Sequence, residues 1–473
     1  MTGIGVGLAL LAGGFGGWPG VAATAVVAVL LARRRIALIV VVVALAALAA
    51  WRVSTVDPPR LPETLIAEPG WTMVVASFPM TRERGLSFDA VIRDADGREW
   101  SVWVISRGST DVTYGDTIYG EGTLEDRHDI QPGFAGYLRG RGASGSAYLS
   151  WHTVAMPGSG LFHGVDGARQ AAAHALRDAV PGDAGALLAG LVVGDDGRLS
   201  AGADDEFRRA GLSHLTAISG SNLAFVVGIV LAAGAFAGGR VRTAFLFLAA
   251  GSAWGYALFV GLMPPAMRSA LAVTGMAGGR IAGRTPDLVT LTLLAGGAQV
   301  LVRPRDAMSI SFQLSLAASM GLAIALGRYP RPTRRGMLLD LLAATVVAQI
   351  ATLPIIAGGF GELSITAVAA NVLAGPVVAI AFPLGIVAAL LLPVVPPLGE
   401  GFAALAGLFA DFVLAIAHVF GAPWAQVTLP ELGDAGTSAL FVLAFLVLLV
   451  AGSERRLLLA KIRRVQPARH ADH

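Results

Sequence analysis

Apolar runs dominate both ends of this chain and leave a polar, patterned stretch between them. The N-terminal runs fall at about 4–17, 20–32 and 36–51, the first two parted by Gly16-Gly17-Trp18-Pro19-Gly20. Later runs fall at about 213–237, 243–262, 265–283, 286–302, 307–327, 337–357, 363–392, 398–421 and 435–451. Runs near 20 residues predict helices that cross a bilayer. The N-terminal ones are shorter, and 4–32 also reads as one interrupted helix. Between 52 and 160 the pattern becomes short and alternating: Trp71–Phe78, Leu86–Ile92, Glu99–Ile105, Thr117–Leu124 and Ser146–Val154. A period of two predicts half-buried strands, and Asp94-Ala95-Asp96-Gly97 supplies a hairpin turn. Five short strands in succession predict a small OB-like barrel, with another β-barrel or a small sandwich as alternatives. Residues 161–210 read as moderately apolar helices with a turn at Gly194-Asp195-Asp196-Gly197. The expected fold class is therefore a polytopic α-helical membrane protein of about 11–12 spans with an extracytoplasmic β-barrel domain.

Composition sharpens this. The chain is 55% hydrophobic and 14% charged, with a mean hydropathy of +0.68, values outside the soluble range. It has no cysteine, which excludes disulfides and thiolate metal sites. Lys461 is its single lysine and lies in Ala460-Lys461-Ile462, so no Gly-Lys-Ser/Thr phosphate loop exists and ATP-driven work must come from a partner. No charge precedes Arg33, so the N-terminus lacks the basic region of a cleaved signal peptide and reads as retained membrane helix. Positive charge stays on the cytoplasmic side. That rule puts Arg33-Arg34-Arg35, Arg240 with Arg242, Arg280 with Arg284, Arg328–Arg335 and Arg455–Arg464 inside, and residues 52–210 outside. Arg303 and Arg305 then fall on the outer face, against the rule.

The run Gly211-Leu212-Ser213-His214-Leu215-Thr216-Ala217-Ile218-Ser219-Gly220-Ser221-Asn222 sets polar side chains at the mouth of an apolar segment. Such groups are costly in hydrocarbon and point to a wet cavity or path; capping by Ser213 and self-bonding by Ser219 is the plainer alternative. Met263-Pro264-Pro265, Thr352-Leu353-Pro354 and Asn371 through Pro376 also read as span interruptions, with Gln313, Gln349 and Asn371 as amides at membrane depth. A solute path and interhelical hydrogen bonding both account for them. Arg208, Arg209, Arg303 and Arg305, with Arg268, form an outer arginine group that suits phosphate guidance, snorkelling being the alternative. Asp411 is the one carboxylate near the middle of a predicted span, with His418 on the same helical face. Residues 52–160 hold fourteen acids against ten arginines, poor electrostatics for nucleic acid despite Trp71, Trp100, Trp103, Tyr119 and Trp151 as stacking candidates. No catalytic residue, metal site or cofactor is expected: no His-x-His-x-Asp-His occurs, and His470-Ala471-Asp472-His473 reads as a tail.

Several stretches, in order, resemble the ComEC competence family over roughly residues 60–430. They are Tyr114-Gly115-Asp116 with Gly133-Phe134-Ala135-Gly136-Tyr137-Leu138, then Gly190-Leu191-Val192-Val193-Gly194-Asp195, then Phe207 through Leu215 and on to Ser219-Gly220. Pro264-Pro265-Ala266-Met267-Arg268-Ser269-Ala270, Ser311-Phe312-Gln313-Leu314-Ser315, Gln349 through Pro354, Phe360-Gly361 and Asn371 through Pro376 complete the series. The resemblance implies a cell inner-membrane, multi-pass channel that takes single-stranded DNA into the cytoplasm during natural transformation. Its path would be lined by His214, Ser219, Asn222, Arg268, Gln313, Ser315, Gln349 and Asn371. Implied partners are single-stranded DNA, membrane lipid, and a separate DNA receptor, nuclease and cytoplasmic ATPase. Two departures stand out: Asn222 replaces a histidine usual in the family, and the metallo-β-lactamase-like nuclease domain of many members is missing. The expected division is 1–51 N-terminal membrane helices, 52–160 barrel, 161–210 extracytoplasmic helical connector, 211–452 channel domain and 453–473 cytoplasmic basic tail. The alternatives are a secondary transporter of a small or lipid-like solute using Asp411, and a membrane-embedded enzyme using His214 and Ser219.

Overall fold

The computed structural model describes residues 57–82, 85–107, 112–195, 199–216, 218, 220–235, 239–284, 287–326 and 334–429, with positions 48, 51, 55, 440, 443, 444, 446–448 and 450. The runs expected at 4–32, most of those at 36–51 and 435–451, the tail and Ser219 lie outside these residues.

After the single turn α1 (Glu63–Ile66) come six strands: β1 (Gly70–Val75), β2 (Met80–Arg82), β3 (Gly85–Arg93), β4 (Glu99–Ser106), β5 (Thr117–Asp126) and β6 (Gly145–Met156). Each of the five expected segments is a strand. β2, a three-residue extension that pairs only with β3, was not expected. β1 pairs with both β3 and β5, and the ring closes through β3–β4, β4–β6 and β6–β5. All pairs are antiparallel except β4–β6. Closure into a five-stranded barrel leaves no long open edge. Inward positions such as Trp71, Met73, Phe88, Ala90, Ile92, Val102, Val104, Ile118 and Leu149 fill it, and the Trp71 indole donates to Leu65 O at 2.8 Å, fastening α1 over one end. The helix α2 (Pro132–Arg141) joins β5 to β6.

Most of the remaining described residues are helical: α3 (Leu161–Ala179), α4 (Gly182–Val193), α5 (Ala201–Arg209), α6 (Ser213–Thr216), α7 (Gly220–Ala235), α8 (Gly239–Phe259), α9 (Pro264–Ile281), α10 (Leu288–Val302), α11 (Ile310–Ala325), α12 (Arg334–Phe360), α13 (Ala367–Leu391) and α14 (Pro396–Phe420). A short antiparallel pair, β7 (Glu362–Ser364) with β8 (Gln426–Thr428), joins the loops after α12 and α14. Parts of α12, α13 and α14 (Leu339–Gly359, Ala367–Leu391 and Pro396–Phe420) are long and apolar enough to cross a membrane; α4, α10 and α11, and the apolar stretches of α7 and α8, are shorter. Every residue of α4 from Ala184 to Val193 is buried, because this helix is apolar on all sides and packs against α3, α13 and α14.

Two expected interruptions are corrected. The chain does not break at Pro354 or at Pro376: α12 and α13 run through them, and α13 through Pro383 as well. Each proline removes one helical donor, and the helices tolerate the loss because the flanking turns keep their own bonds. Thr352 and Asn371 also donate to carbonyls one turn earlier on their own helices, Ala348 O and Ala367 O, both at 2.8 Å. The third interruption is real. α8 ends before Leu262, whose φ of 52° is left-handed, and α9 begins at Pro264, where a missing donor is harmless.

The barrel is tied to the helices at three places. Asp195, past the end of α4, accepts from Thr81 N and Oγ1 (both 3.2 Å) and from Arg177 at 2.6 Å. Asp166 and Arg169 of α3 pair at 2.9 Å and reach Tyr114 N and Pro79 O. Finally, Gly140 and Gly142, at the end of α2, lie against the Pro304–Met308 turn.

Candidate functional site

The His214 segment is a designed break between two helices. α5 ends in a Schellman pattern: Gly211 N bonds Arg208 O at 3.1 Å and Leu212 N bonds Phe207 O at 2.8 Å, with Leu212 and Phe207 wholly buried together. Gly211 has φ +71°, and a Cβ there would lie 2.5 Å from that of Ala367. Only glycine suits both demands. One turn, α6, follows before α7 starts at Gly220. His214 on that turn is exposed.

Two amides hold the break open. Asn371 donates to Gly211 O at 3.2 Å, tying the turn to α13. Asn222, 2% exposed, donates to Leu191 O at 3.0 Å, and Tyr256 to Val192 O at 3.2 Å. Together they satisfy carbonyls at the end of α4 that its own helix leaves unbonded.

Arg268 lies beside the start of α7. It is 5% exposed, and its Nε donates to Ser315 Oγ at 3.0 Å and one Nη to Ser269 Oγ at 3.4 Å. Among the described residues no carboxylate pairs with it. A buried guanidinium held only by neutral hydroxyls keeps its full charge facing inward. Arg268, Ser269 and Ser315 thus form one cluster with Gly220, and such a group of donors can hydrogen-bond an oxyanion.

The other expected residues are placed separately. Gln313 donates to Ala307 O at 2.9 Å and secures the turn before α11. Gln349 is half-buried on α12. Arg303 donates to Leu262 O at 2.8 Å and lies 3.6 Å from Asp306, so it braces the strained residue before Pro264. Arg305 is exposed and lies against Gly142. Arg208 pairs with Asp205 at 2.5 Å, and Arg209 donates to Gly421 O at 2.6 Å, capping α14. Asp411 is exposed on the outer face of α14 beside Leu408 and Phe412. His418, two turns further along the same helix, pairs with Glu206 at 2.8 Å.

Two residues of this region were missed in the sequence. Ser269 immediately follows Arg268, a position that gave it no separate signal. Gln299 is fully buried and donates to Pro264 O at 3.0 Å and Asp306 at 2.6 Å; an amide inside the apolar 286–302 run was its signal. Burial holds the Asp306 carboxyl above the ordinary range despite Arg303 and Gln299. Of the stacking candidates, Trp71 is buried in the barrel, Trp103 is buried outside it against Leu138 of α2 and Ala143, and Trp151 is exposed, edge-on to Tyr119. Among the described residues no group of three or more His, Asp and Glu is placed to hold a metal ion.

A family model described as Competence protein matches residues 191–454 of the chain, from within α4 to beyond α14. No curated protein and no solved structure matches it.

Proposed function

This chain belongs to the competence protein family, and from that premise we propose that it conducts single-stranded DNA across the cytoplasmic membrane during natural transformation. The family is of channel type and acts in DNA uptake; the chain carries apolar helices fit to span a membrane. The finer reading is a multi-pass inner-membrane conduit within residues 211–452, preceded by an extracytoplasmic connector (161–210) and an OB-like barrel (52–160). Membrane helices at 1–51 and a cytoplasmic basic tail at 453–473 complete it. A DNA receptor outside, a nuclease on another chain and an ATPase inside would complete the machine, since Lys461 offers no phosphate loop.

One observation carries this reading. Among the described residues of α7–α14, Arg268 is the one buried charged side chain. A fixed charge is costly inside a membrane domain and marks a solute path by default. Its positive sign, with no carboxylate paired to it among the described residues, suits a polyanion and opposes a proton or cation carrier; the buried acid Asp306, in the turn between α10 and α11, is taken up by Gln299 and Arg303. Next to it the chain is interrupted between α5 and α7, where the single turn α6 intervenes, a feature tolerated at membrane depth where it lines a cavity. The transporter alternative needs Asp411 inside the protein, and that side chain faces outward.

The test is a strain lacking this protein, supplied with labelled DNA and scored for label in the cytoplasm. We expect none to arrive; ordinary uptake would end the proposal. Asp411→Asn in the intact protein should transport normally, and a loss of uptake there would revive the carrier reading.

A further inference from the structure

We propose that the N-terminus of α7, with Arg268, Ser269 and Ser315 packed beside it, binds a single phosphate group. The chemistry of this site is argued from its own geometry; only the identity of its natural ligand rests on the DNA-uptake reading.

α7 is a 16-residue helix. The first turn of such a helix leaves backbone N–H groups without helical partners and carries the positive end of the macrodipole. That alone marks no site. The independent observation is Arg268, which is 95% buried, bonded only to two hydroxyls, and has one Nη without a partner among the described residues. It is aimed at the helix end: a Cβ on Gly220 would lie 3.2 Å from its other Nη and 2.7 Å from Ser269 Oγ. Two positive features therefore meet in the interior, and among the described residues no carboxylate pairs with Arg268. An uncompensated buried cation is costly, and the arrangement holds together most easily with an anion in the gap.

The donors select the kind of anion. A guanidinium presents a planar fork that matches two oxygens of a phosphate. Backbone N–H groups at a helix start reach a third, and Ser269 adds a hydroxyl. The absence of a carboxylate partner for Arg268 keeps the fork available. A side chain at Gly220 would collide with Ser269 Oγ and crowd Arg268, so glycine lets both donors close on the helix end. The shared chemistry is a phosphate oxyanion, either one phosphodiester of a passing strand or free phosphate.

The test uses the full chain in maltoside micelles, which contain no phosphate, and follows ³¹P line broadening during titration with inorganic phosphate. The native protein should bind, Arg268→Gln should bind at least about tenfold more weakly, the loss of one charge-assisted hydrogen bond, and Arg268→Lys should fall between. Gly220→Ala, which removes no charge, should also weaken binding and serves if Arg268→Gln fails to fold. A short single-stranded oligonucleotide should displace phosphate, whereas its uncharged methylphosphonate analogue should not. Displacement assigns the strand as the source; phosphate binding without it assigns free phosphate. Equal binding by the native protein, Arg268→Gln and Gly220→Ala, or no binding by the native protein, overturns the site. If binding is lost in both variants while the deletion strain still imports DNA, the site stands and the uptake reading falls. If deletion stops uptake while both variants bind as the native protein does, the reverse holds.

Discussion

Removing the carboxylate of Asp195 should loosen the barrel from the helices without unfolding either. Asp195 Oδ2 receives Arg177 Nη1 at 2.6 Å and Thr81 Oγ1 at 3.2 Å, while Oδ1 receives Thr81 N at 3.2 Å. The two charged side chains are 12% and 5% exposed, so solvent screens them little. In Asp195→Asn the amide fills the same space but leaves Arg177 charged, buried and without a counter-ion. Breaking a buried pair from one side costs about 3–5 kcal/mol. Arg177 also has a second Nη that is buried and unbonded among the described residues, so it has no reserve partner. The cost falls on local opening of the β2 hairpin, because Thr81 is the barrel's contact with Asp195. Amide exchange over 76–82 should then rise about a hundredfold or more, at 1.4 kcal/mol per decade, while peptides of β4 change little. Hydrogen–deuterium exchange of the solubilised full chain reads this directly. The double variant Arg177→Leu with Asp195→Leu should recover most of the protection, since a well-packed apolar pair can replace a buried ionic one. Exchange in Asp195→Asn within threefold of the native protein would refute the reasoning, because it would mean the pair is solvated or its partners redundant.

How much of this was legible depends on whether the signal is local. The barrel strands were, most plainly in β1, where Trp71, Met73 and Val75 are buried while Thr72 and Val74 are exposed. β2 was not, since three residues are too few to show a period. α4 reads only as moderately apolar beside the charges of α3 and α5, and its full burial follows from helices α13 and α14, far along the chain. Prolines gave a misleading signal at 354 and 376: a proline is a local breaker, but α12 and α13 are long enough that the remaining helical bonds and the packing around them carry the helix through. For the candidate site, the break around His214 was readable from its glycines and polar groups. The juxtaposition of Arg268, Ser315 and Gly220 was not, because it joins three helices, and Ser269 could not be told from any other helical serine. Arg303 shows the opposite case. Its violation of the charge rule was visible, but the reason, a bond to the carbonyl of strained Leu262, exists only in three dimensions.

The remaining predictions concern the barrel and its seat. Burial alone would raise the Asp126 carboxyl, but bonds from His128 N, Leu61 N and the His128 ring hold it below the ordinary value. Its stabilisation is therefore complete above the ordinary carboxylate pKa of about 4 and is lost as pH falls through the lower folded value. Asp126→Asn should flatten that acid limb in fluorescence-monitored unfolding and cost about 1–3 kcal/mol at neutral pH; an unchanged acid limb would exclude Asp126 as its source. Gly142 carries the last prediction. Its φ is +77°, and an added Cβ would collide with the Arg305 guanidinium. Gly142→Ala should lose about 1–2 kcal/mol from the left-handed backbone alone, with a further penalty from the displaced arginine. Arg305→Ala on the same background should remove the second part and leave the first, so the two substitutions will be non-additive. Strict additivity would place Arg305 elsewhere in solution. The same arginine can be tested for function separately: with the fold intact, Arg305→Glu should slow DNA uptake if its exposed charge guides phosphates to the membrane domain, and unchanged uptake would leave it a packing partner of α2 alone.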